Sequence, residues 1–231
     1  MLAFSLVGMA LILAWSARRG FAETDLLVAL AIPITLFMLA PLKIATVFLC
    51  PTTMDAALRH IDLLLGLDGF AVTRWLVRND LYFFVPAAYA SLPLVIAIAW
   101  IAERSHVLLR ACVIGAIASF FVYITVPAAG PVYAFHGFPA ASAVAILPGA
   151  YPRNCFPSMH VGFPLLVVLN ARGWCWRAVA SIWTVLIAVA AVAIGQHYVI
   201  DEIAAVLFSL AVQYTAVAIG ARQILTKRAT V

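Results

Sequence analysis

The chain has 231 residues, of which 66% are apolar and only 10% charged, and its mean hydropathy is +1.11. A soluble domain carries about 25% charged residues and needs polar groups to cover its surface, so a water-soluble globule is excluded, along with disorder, coiled coil, collagen and a disulfide-rich secreted scaffold. The bilayer replaces water as solvent, and the net charge of +5 is scattered between apolar blocks without the patch or stripe that nucleic-acid binding requires.

A spanning helix needs about 20 mostly apolar residues. Seven blocks approach this: 1–17, 26–50, 81–102, 107–126, 157–171, 178–195 and 199–221, the first and fifth being short. They predict an all-α polytopic membrane bundle of six to seven transmembrane helices. One domain spans 1–231, with N-terminal helices and an interfacial segment over 1–80 and a helical core over 81–222. Residues 2–16 have no positive charge before them and are followed by Arg18 and Arg19. They therefore read as a retained helix, the charge order of a secretory signal being the reverse. In the stretch 54–65, Met54, Leu58, Ile61 and Leu65 recur at helical spacing while Asp55, Arg59 and Asp62 fall elsewhere. With Phe70, Trp75 and Leu76 beyond, this predicts one or two amphipathic helices lying in the membrane interface. Residues 127–156 are rich in Pro and Gly and read as a loop.

Lys and Arg near helix ends stay on the cytoplasmic side. With the N-terminus outside, nine basic residues (Arg18, Arg19, Arg104, Arg110, Arg172, Arg177, Arg222, Lys227, Arg228) fall on one side and four (Arg59, Arg74, Arg78, Arg153) on the other, Lys43 lying within the second block. The expected topology is N-terminus out and C-terminus in, in a plasma or inner membrane. The four cysteines (Cys50, Cys112, Cys155, Cys175) have no ligand spacing, so no metal is expected and they read as apolar filler. A Cys50–Cys155 disulfide stays open, both lying on the outer side.

Seven of the nine acids (Glu23, Asp25, Asp55, Asp62, Asp68, Asp80, Glu103) sit in connections, where water solvates them. Asp201 and Glu202 instead fall in the first turns of an apolar block, where a charge costs up to about 3 kcal/mol without a partner. His197 lies four residues before Asp201 and shares its helical face. A carboxylate there can fix the imidazole tautomer and leave Nε2 free to attack an electrophile, although structural pairs and metal ligands use the same spacing. A second imidazole, His160, follows Pro157 and Ser158 at the junction of the long loop with the fifth block. Pro157 suits the first turn of a helix, which places Ser158 and His160 near an N-terminus that attracts anions. The topology brings His197 to the same side.

Pro157-Ser158-Met159-His160 and His197-Tyr198-Val199-Ile200-Asp201 resemble the second and third motifs of the type 2 phosphatidic-acid phosphatase superfamily. Phe-Pro-Ser-x-His followed by Gly-x-His-Tyr-x-x-Asp, with the Pro-rich segment Tyr123 to Phe135 before them, is most similar to the inositol phosphorylceramide synthase-like branch. The resemblance covers residues 115 to 215. It implies a phosphohistidine mechanism: His197 as nucleophile on phosphorus, Asp201 orienting it, His160 protonating the departing lipid alkoxide, and Ser158 holding phosphate oxygens, with no metal or cofactor. The implied substrate is a (poly)prenyl, glycero- or sphingolipid phosphate at the outer face, the acceptor being water or a lipid or polyol hydroxyl. Two features depart from the pattern. The Arg that superfamily phosphatases carry six residues before the third-motif His is Ala191 here, and the Lys/Arg-Pro first motif is missing upstream of Ser158. Arg153 either substitutes for one lost cation or contacts a headgroup. Glu202, about 100° around the helix from Asp201, is expected to face a polar contact or the interface; Gln196 and Tyr198 are expected as cap and interfacial anchor, and Tyr133 and His136 as solvated loop residues. Readings from other classes are a transporter or flippase and an inactive membrane scaffold.

Overall fold

The computed structural model describes residues 1–20, 22–139 and 151–229, with side chains apart from those of 33–43 and 223–229. The centre of the Pro/Gly-rich loop at 140–150 and the side chains of Lys43, Lys227 and Arg228 therefore lie outside the described residues. Among the described residues the chain is all-helical: α1 (Leu2–Arg19), α2 (Glu23–Leu49), α3 (Asp55–Leu64), α4 (Gly69–Arg78), a 3-10 turn (Tyr82–Phe84), α5 (Val85–Ala90), α6 (Leu92–Glu103), α7 (His106–Thr125), α8 (Pro131–Ala134), α9 (Met159–Asn170), α10 (Trp174–Ala193) and α11 (Val199–Ala229). Four are long and apolar enough to cross a membrane (α1, α7, α10 and α11 over Val199–Arg222), and the bent pair α5–α6 makes a fifth. α2 has spanning length, but part of its apolar block lies outside the described side chains.

Two of the expected seven spans differ. The block 81–102 is not one helix: it bends by 51° between Ala90 and Leu92. Pro86 and Pro93 sit in the first turns of α5 and α6, where a missing N–H is harmless, and neither fits a continuous helix interior. Ser91 holds the joint, donating to the Ala88 carbonyl (2.7 Å) and accepting from Trp183 Nε1 (2.9 Å). The block 157–171 folds as a helix of only 12 residues. It can be short because α6, α7, α10 and α11 pack around it, so most of its side chains meet protein on every side. Its helix starts at Met159, with Ser158 as N-cap and Pro157 before the cap after a cis Phe156–Pro157 bond, later than the expected position of Pro157 in the first turn.

The core runs through α6, α7, α9, α10 and α11, built on Val95, Ala99, Ala111, Leu166, Val167, Ile187 and Val212. A second cluster joins α1 and α2 to α6 through Ile12, Val28, Ala97 and Trp100. Large apolar side chains such as Phe48, Phe121, Ile182 and Leu207 point outward, as a surface facing hydrocarbon requires. The amphipathic stretch forms the pair α3 and α4, capped at α4 by Asp68, which accepts from Phe70 N (3.0 Å) and pairs with Arg74 (3.1 Å).

The acids in the connections correct the expectation that water solvates them all. Asp25, Asp55 and Asp62 are buried. Asp25 accepts from Trp100 Nε1 (3.0 Å) and pairs with Arg104 (2.6 Å), tying α2 to α6. Asp55 accepts from the amides of Ala129 (3.1 Å) and Gly130 (2.9 Å). Asp62 accepts from Val199 N (2.9 Å) and Ile200 N (2.8 Å), capping α11 from a helix that lies far away in sequence. A connector carrying a carboxylate gives no periodic sign of a partner amide in another segment.

Candidate active site

The starts of α9 and α11, the ends of α2, α7 and α10, and the pair α3–α4 converge at one end of the bundle. Glycine backbones allow the loops to close there. Gly130 has φ +106, and a Cβ on it would lie 2.6 Å from the Gln196 carbonyl; Gly195 has φ +73, and its Cβ would lie 2.7 Å from the Phe138 ring. Backbone bonds Val132 N to Gly195 O (2.9 Å) and Cys155 N to Ala128 O (3.0 Å) then join the loop after α7 to both motif segments.

His160 and His197 meet in this setting, His160 Nδ1 lying 3.3 Å from His197 Nε2. Both rings are buried. His197 Nδ1 lies 2.8 Å from the Cys155 carbonyl and 3.6 Å from Asp201 Oδ2. A carbonyl only accepts, so Nδ1 carries the proton and a neutral His197 turns its Nε2 lone pair toward His160. His160 then donates from Nδ1. The tautomer expected from Asp201 is thus set first by the closer Cys155 carbonyl. Asp201 Oδ2 itself accepts from Tyr198 N (2.7 Å) and the Cys155 thiol (2.8 Å), and the Asp201 carbonyl accepts from Ser158 N (3.2 Å). The last of these bonds ties the start of α9 to the start of α11. His160 also stacks on Tyr89 at 3.9 Å between ring centroids.

Several residues behave differently from their expected roles. Cys155 is no apolar filler, since its thiol donates to Asp201 and contacts the Gln196 carbonyl (3.1 Å). Burial and the Asp201 carboxylate push that thiol well above its ordinary value, which keeps it a donor. Cys50 and Cys155 are free thiols, so the disulfide left open is not formed. Tyr198 is buried, its hydroxyl donating to Asp55 (2.8 Å); burial and the Asp55 charge push that hydroxyl far up. Gln196 donates to the Tyr133 hydroxyl (2.6 Å), and Tyr133 stacks on Tyr151 at 4.8 Å, so neither is a free loop or interface group. Glu202, by contrast, takes the first of its two expected settings, buried beside the polar groups of Ser158 and Asp201. Ser158 Oγ and both Glu202 carboxylate oxygens make no hydrogen bond among the described residues. Ala191, where the resemblance led to the expectation of an Arg, is fully buried. Asp62 is pushed up by burial, its two amide partners pulling it down and the Asp201 charge adding to the rise.

A cavity of about 370 Å³ leads from the histidines between α2, α6, α7 and α9, with Met1 also on its wall. Its polar end is formed by Thr46, Asn154, His160 and His197, and its length by apolar residues including Ile32, Leu92, Ile96, Val113, Phe120 and Phe163. Arg153 is not on its wall. It lines a second cavity, of about 260 Å³, with Asp55, Tyr133 and Tyr151. Cys155, His197 and Asp201 bring three metal-ligating side chains within reach of one another among the described residues; the Cys155 thiol and His197 Nδ1 are engaged by Asp201 Oδ2 and the Cys155 carbonyl, while Asp201 Oδ1 makes no hydrogen bond among the described residues. The positioning residues that sequence reasoning missed, Asp55, Asp62, Cys155 and Tyr89, carry no motif of their own.

No curated protein and no solved structure matches the chain. A family profile does, over residues 56–215, from the start of α3 to just past the middle of α11. With well over half of its length matched, the chain belongs to the PAP2 superfamily, whose members are in general phosphatases and phosphotransferases.

Proposed function

We propose that the protein moves a phosphoryl or phospho-headgroup unit on a membrane lipid through a phosphohistidine formed on His197. The observation that carries this is the pair of buried imidazoles, His160 Nδ1 facing His197 Nε2 at 3.3 Å, at the head of a mostly apolar cavity of about 370 Å³.

His197 Nε2 attacks phosphorus while the Cys155 carbonyl holds the Nδ1 proton. The bond from phosphorus to the lipid oxygen breaks, its electron pair leaves with that oxygen, and His160 supplies the proton that makes the leaving group an alcohol. An acceptor hydroxyl or water then gives its proton to His160, attacks phosphorus and breaks the N–P bond. A near-attack arrangement needs about 3–3.5 Å between Nε2 and phosphorus, so the substrate enters as the two rings separate, His160 remaining against Tyr89. Asp201 stabilises the imidazolium character that develops on His197. In this reading Ser158 Oγ, buried at the N-cap of α9 and without a hydrogen bond among the described residues, helps to hold a phosphate oxygen as the site opens, and the apolar cavity takes an acyl or prenyl chain. The site belongs on the extracytoplasmic side: Arg18, Arg19, Arg104, Arg110, Arg172, Arg177 and Arg222 lie toward the helix ends remote from the histidines, and basic residues favour the cytoplasm.

A headgroup transferase of the inositol phosphorylceramide synthase type is the second reading. It is favoured by Ala191, which leaves no cation where a doubly charged monoester needs one, so a singly charged diester fits the site better.

Purified protein offered labelled lipid phosphates and phosphodiesters, with and without a lipid hydroxyl acceptor, separates the two. Phosphate in water supports the hydrolase; headgroup transferred only to the acceptor supports the transferase. Full activity in both His197→Ala and His160→Ala rules out the mechanism.

A further inference from the structure

The Arg153 cavity is separate from the histidine cavity and has a charge imbalance of its own. Arg153 is only 8% exposed. Its Nε donates to the Cys50 carbonyl (3.3 Å), one terminal nitrogen donates to the Tyr151 carbonyl (3.0 Å), and its main-chain amide is fixed on Thr46 Oγ1 (2.8 Å). All three acceptors are neutral, and a guanidinium has five donors to satisfy. Among the described residues no carboxylate lies within ion-pair distance of it. All nine acids of the chain belong to the described residues, and the segment 140–150, Ala-Ala-Ser-Ala-Val-Ala-Ile-Leu-Pro-Gly-Ala, contains none.

A buried charge without a counter-charge is costly. Cys50 is the C-cap of α2, so the helix end offsets part of it, with roughly half a negative charge. Asp55 shares the cavity wall, but its carboxylate already accepts two amides and the Tyr198 hydroxyl. The rest of the wall suits phosphate oxygens. Thr53 and Tyr151 bring hydroxyls, and the Tyr133 hydroxyl, which accepts from Gln196, keeps its own hydrogen to donate. The volume of about 260 Å³ accommodates a phosphate with a small polyol attached.

We propose that this cavity is a second anion site, which takes a phosphate group, either free or on a lipid headgroup, against Arg153. It does not depend on histidine chemistry. It is nevertheless joined to the nucleophile's loop, since Tyr133 holds Gln196, Asp55 holds Tyr198, and the run from Tyr151 leads into Cys155, whose carbonyl holds His197. An anion bound there steadies the loop that orients the nucleophile.

Thermal unfolding of the full chain in neutral detergent tests the site. Inorganic phosphate is titrated against chloride at matched ionic strength, and phosphatidic acid against phosphatidylcholine in mixed micelles. Wild type and His197→Gln should both gain roughly 3–6 °C at a tenfold excess over half-saturation. Arg153→Gln should lose the gain. Its starting midpoint falls because the α2 cap is lost, and a purely structural Arg153 predicts that lower midpoint with the phosphate-dependent gain intact, a result that overturns the site. Should Arg153→Gln not fold, Arg153→Lys keeps the charge without the planar fork and should raise the half-saturating phosphate at least about threefold; an unchanged value also overturns it. So does loss of the gain in His197→Gln, which moves phosphate to the histidine pair, or no gain in wild type with either probe. A gain with phosphatidic acid alone identifies a lipid headgroup as the source; an equal gain with inorganic phosphate identifies the free anion.

Discussion

The two ends of the bundle use the same side chains differently. At the end remote from the histidines, buried or half-buried carboxylates are matched with arginine: Asp25 with Arg104 at 2.6 Å and Glu103 with Arg172 at 3.4 Å. At the histidine end, Asp55, Asp62 and Asp201 accept from main-chain amides, a tyrosine hydroxyl and a thiol, and Arg153 donates to carbonyls. The ion pairs there belong to the more exposed Asp68 with Arg59 and Arg74, and to His197 with Asp201. An ion pair between helices joins them but neutralises its own charge. Carboxylates held on amides shape loops while leaving the local cation for an incoming anion, which suits the end of the molecule proposed to admit a phosphate.

Substitution separates these uses. The largest effect falls on the histidines themselves: His197→Ala should abolish turnover, and His160→Ala should reduce it by about 10²–10⁴-fold, both in folded protein by circular dichroism. Next comes Asp62→Asn. Removing one charged acceptor from two amides should destabilise by about 1–2 kcal/mol and displace His197 enough to lower kcat about tenfold or more, with KM little changed. Asp25→Asn at the other end should destabilise by about 1–3 kcal/mol, a buried pair discounted for the half-exposed Arg104, yet leave the kcat of folded protein within about twofold of wild type. Equal kcat losses for Asp25→Asn and Asp62→Asn would erase the distinction between the two ends.

How far this difference was legible depends on whether a residue's partner is local. Apolar blocks announce the helices, because hydropathy along a helix is a property of one segment. The histidines were legible through two compact motifs, and the spacing of His197 and Asp201 is local too. The burial of Asp55 and Asp62 was not, since their partners lie more than 70 residues away and a connector acid looks the same whether it meets water or an amide. Cys155 was misread for the same reason: a lone cysteine between Asn154 and Phe156 says nothing of a carboxylate on another helix. The bend at Ser91 had its signal in Pro86 and Pro93, which an apolar window over 81–102 averages away.

The smallest expected effect concerns pH. Burial and Asp201 hold the Cys155 thiol well above its ordinary value of 9.0, so the folded chain keeps a proton that the unfolded chain releases as pH rises through that value. The stability this contributes is complete below about pH 9 and is lost progressively above it. Thermal unfolding between pH 7 and 11 should therefore fall off on the alkaline side, and Cys155→Ser, with the exposed Cys175 replaced in both proteins, should move the onset to higher pH while changing turnover less than tenfold. An unchanged onset would mean that the thiol is not held protonated by Asp201.

The proposed phosphohistidine is the most direct target. Protein quenched during turnover of a labelled lipid phosphate and digested under alkaline conditions should carry one acid-labile phosphoryl group on His197, bonded at Nε2 because the Cys155 carbonyl occupies Nδ1, and His197→Ala should carry none. Turnover by wild type with no label on histidine, or label on His160 with His197→Ala still active, would contradict the account.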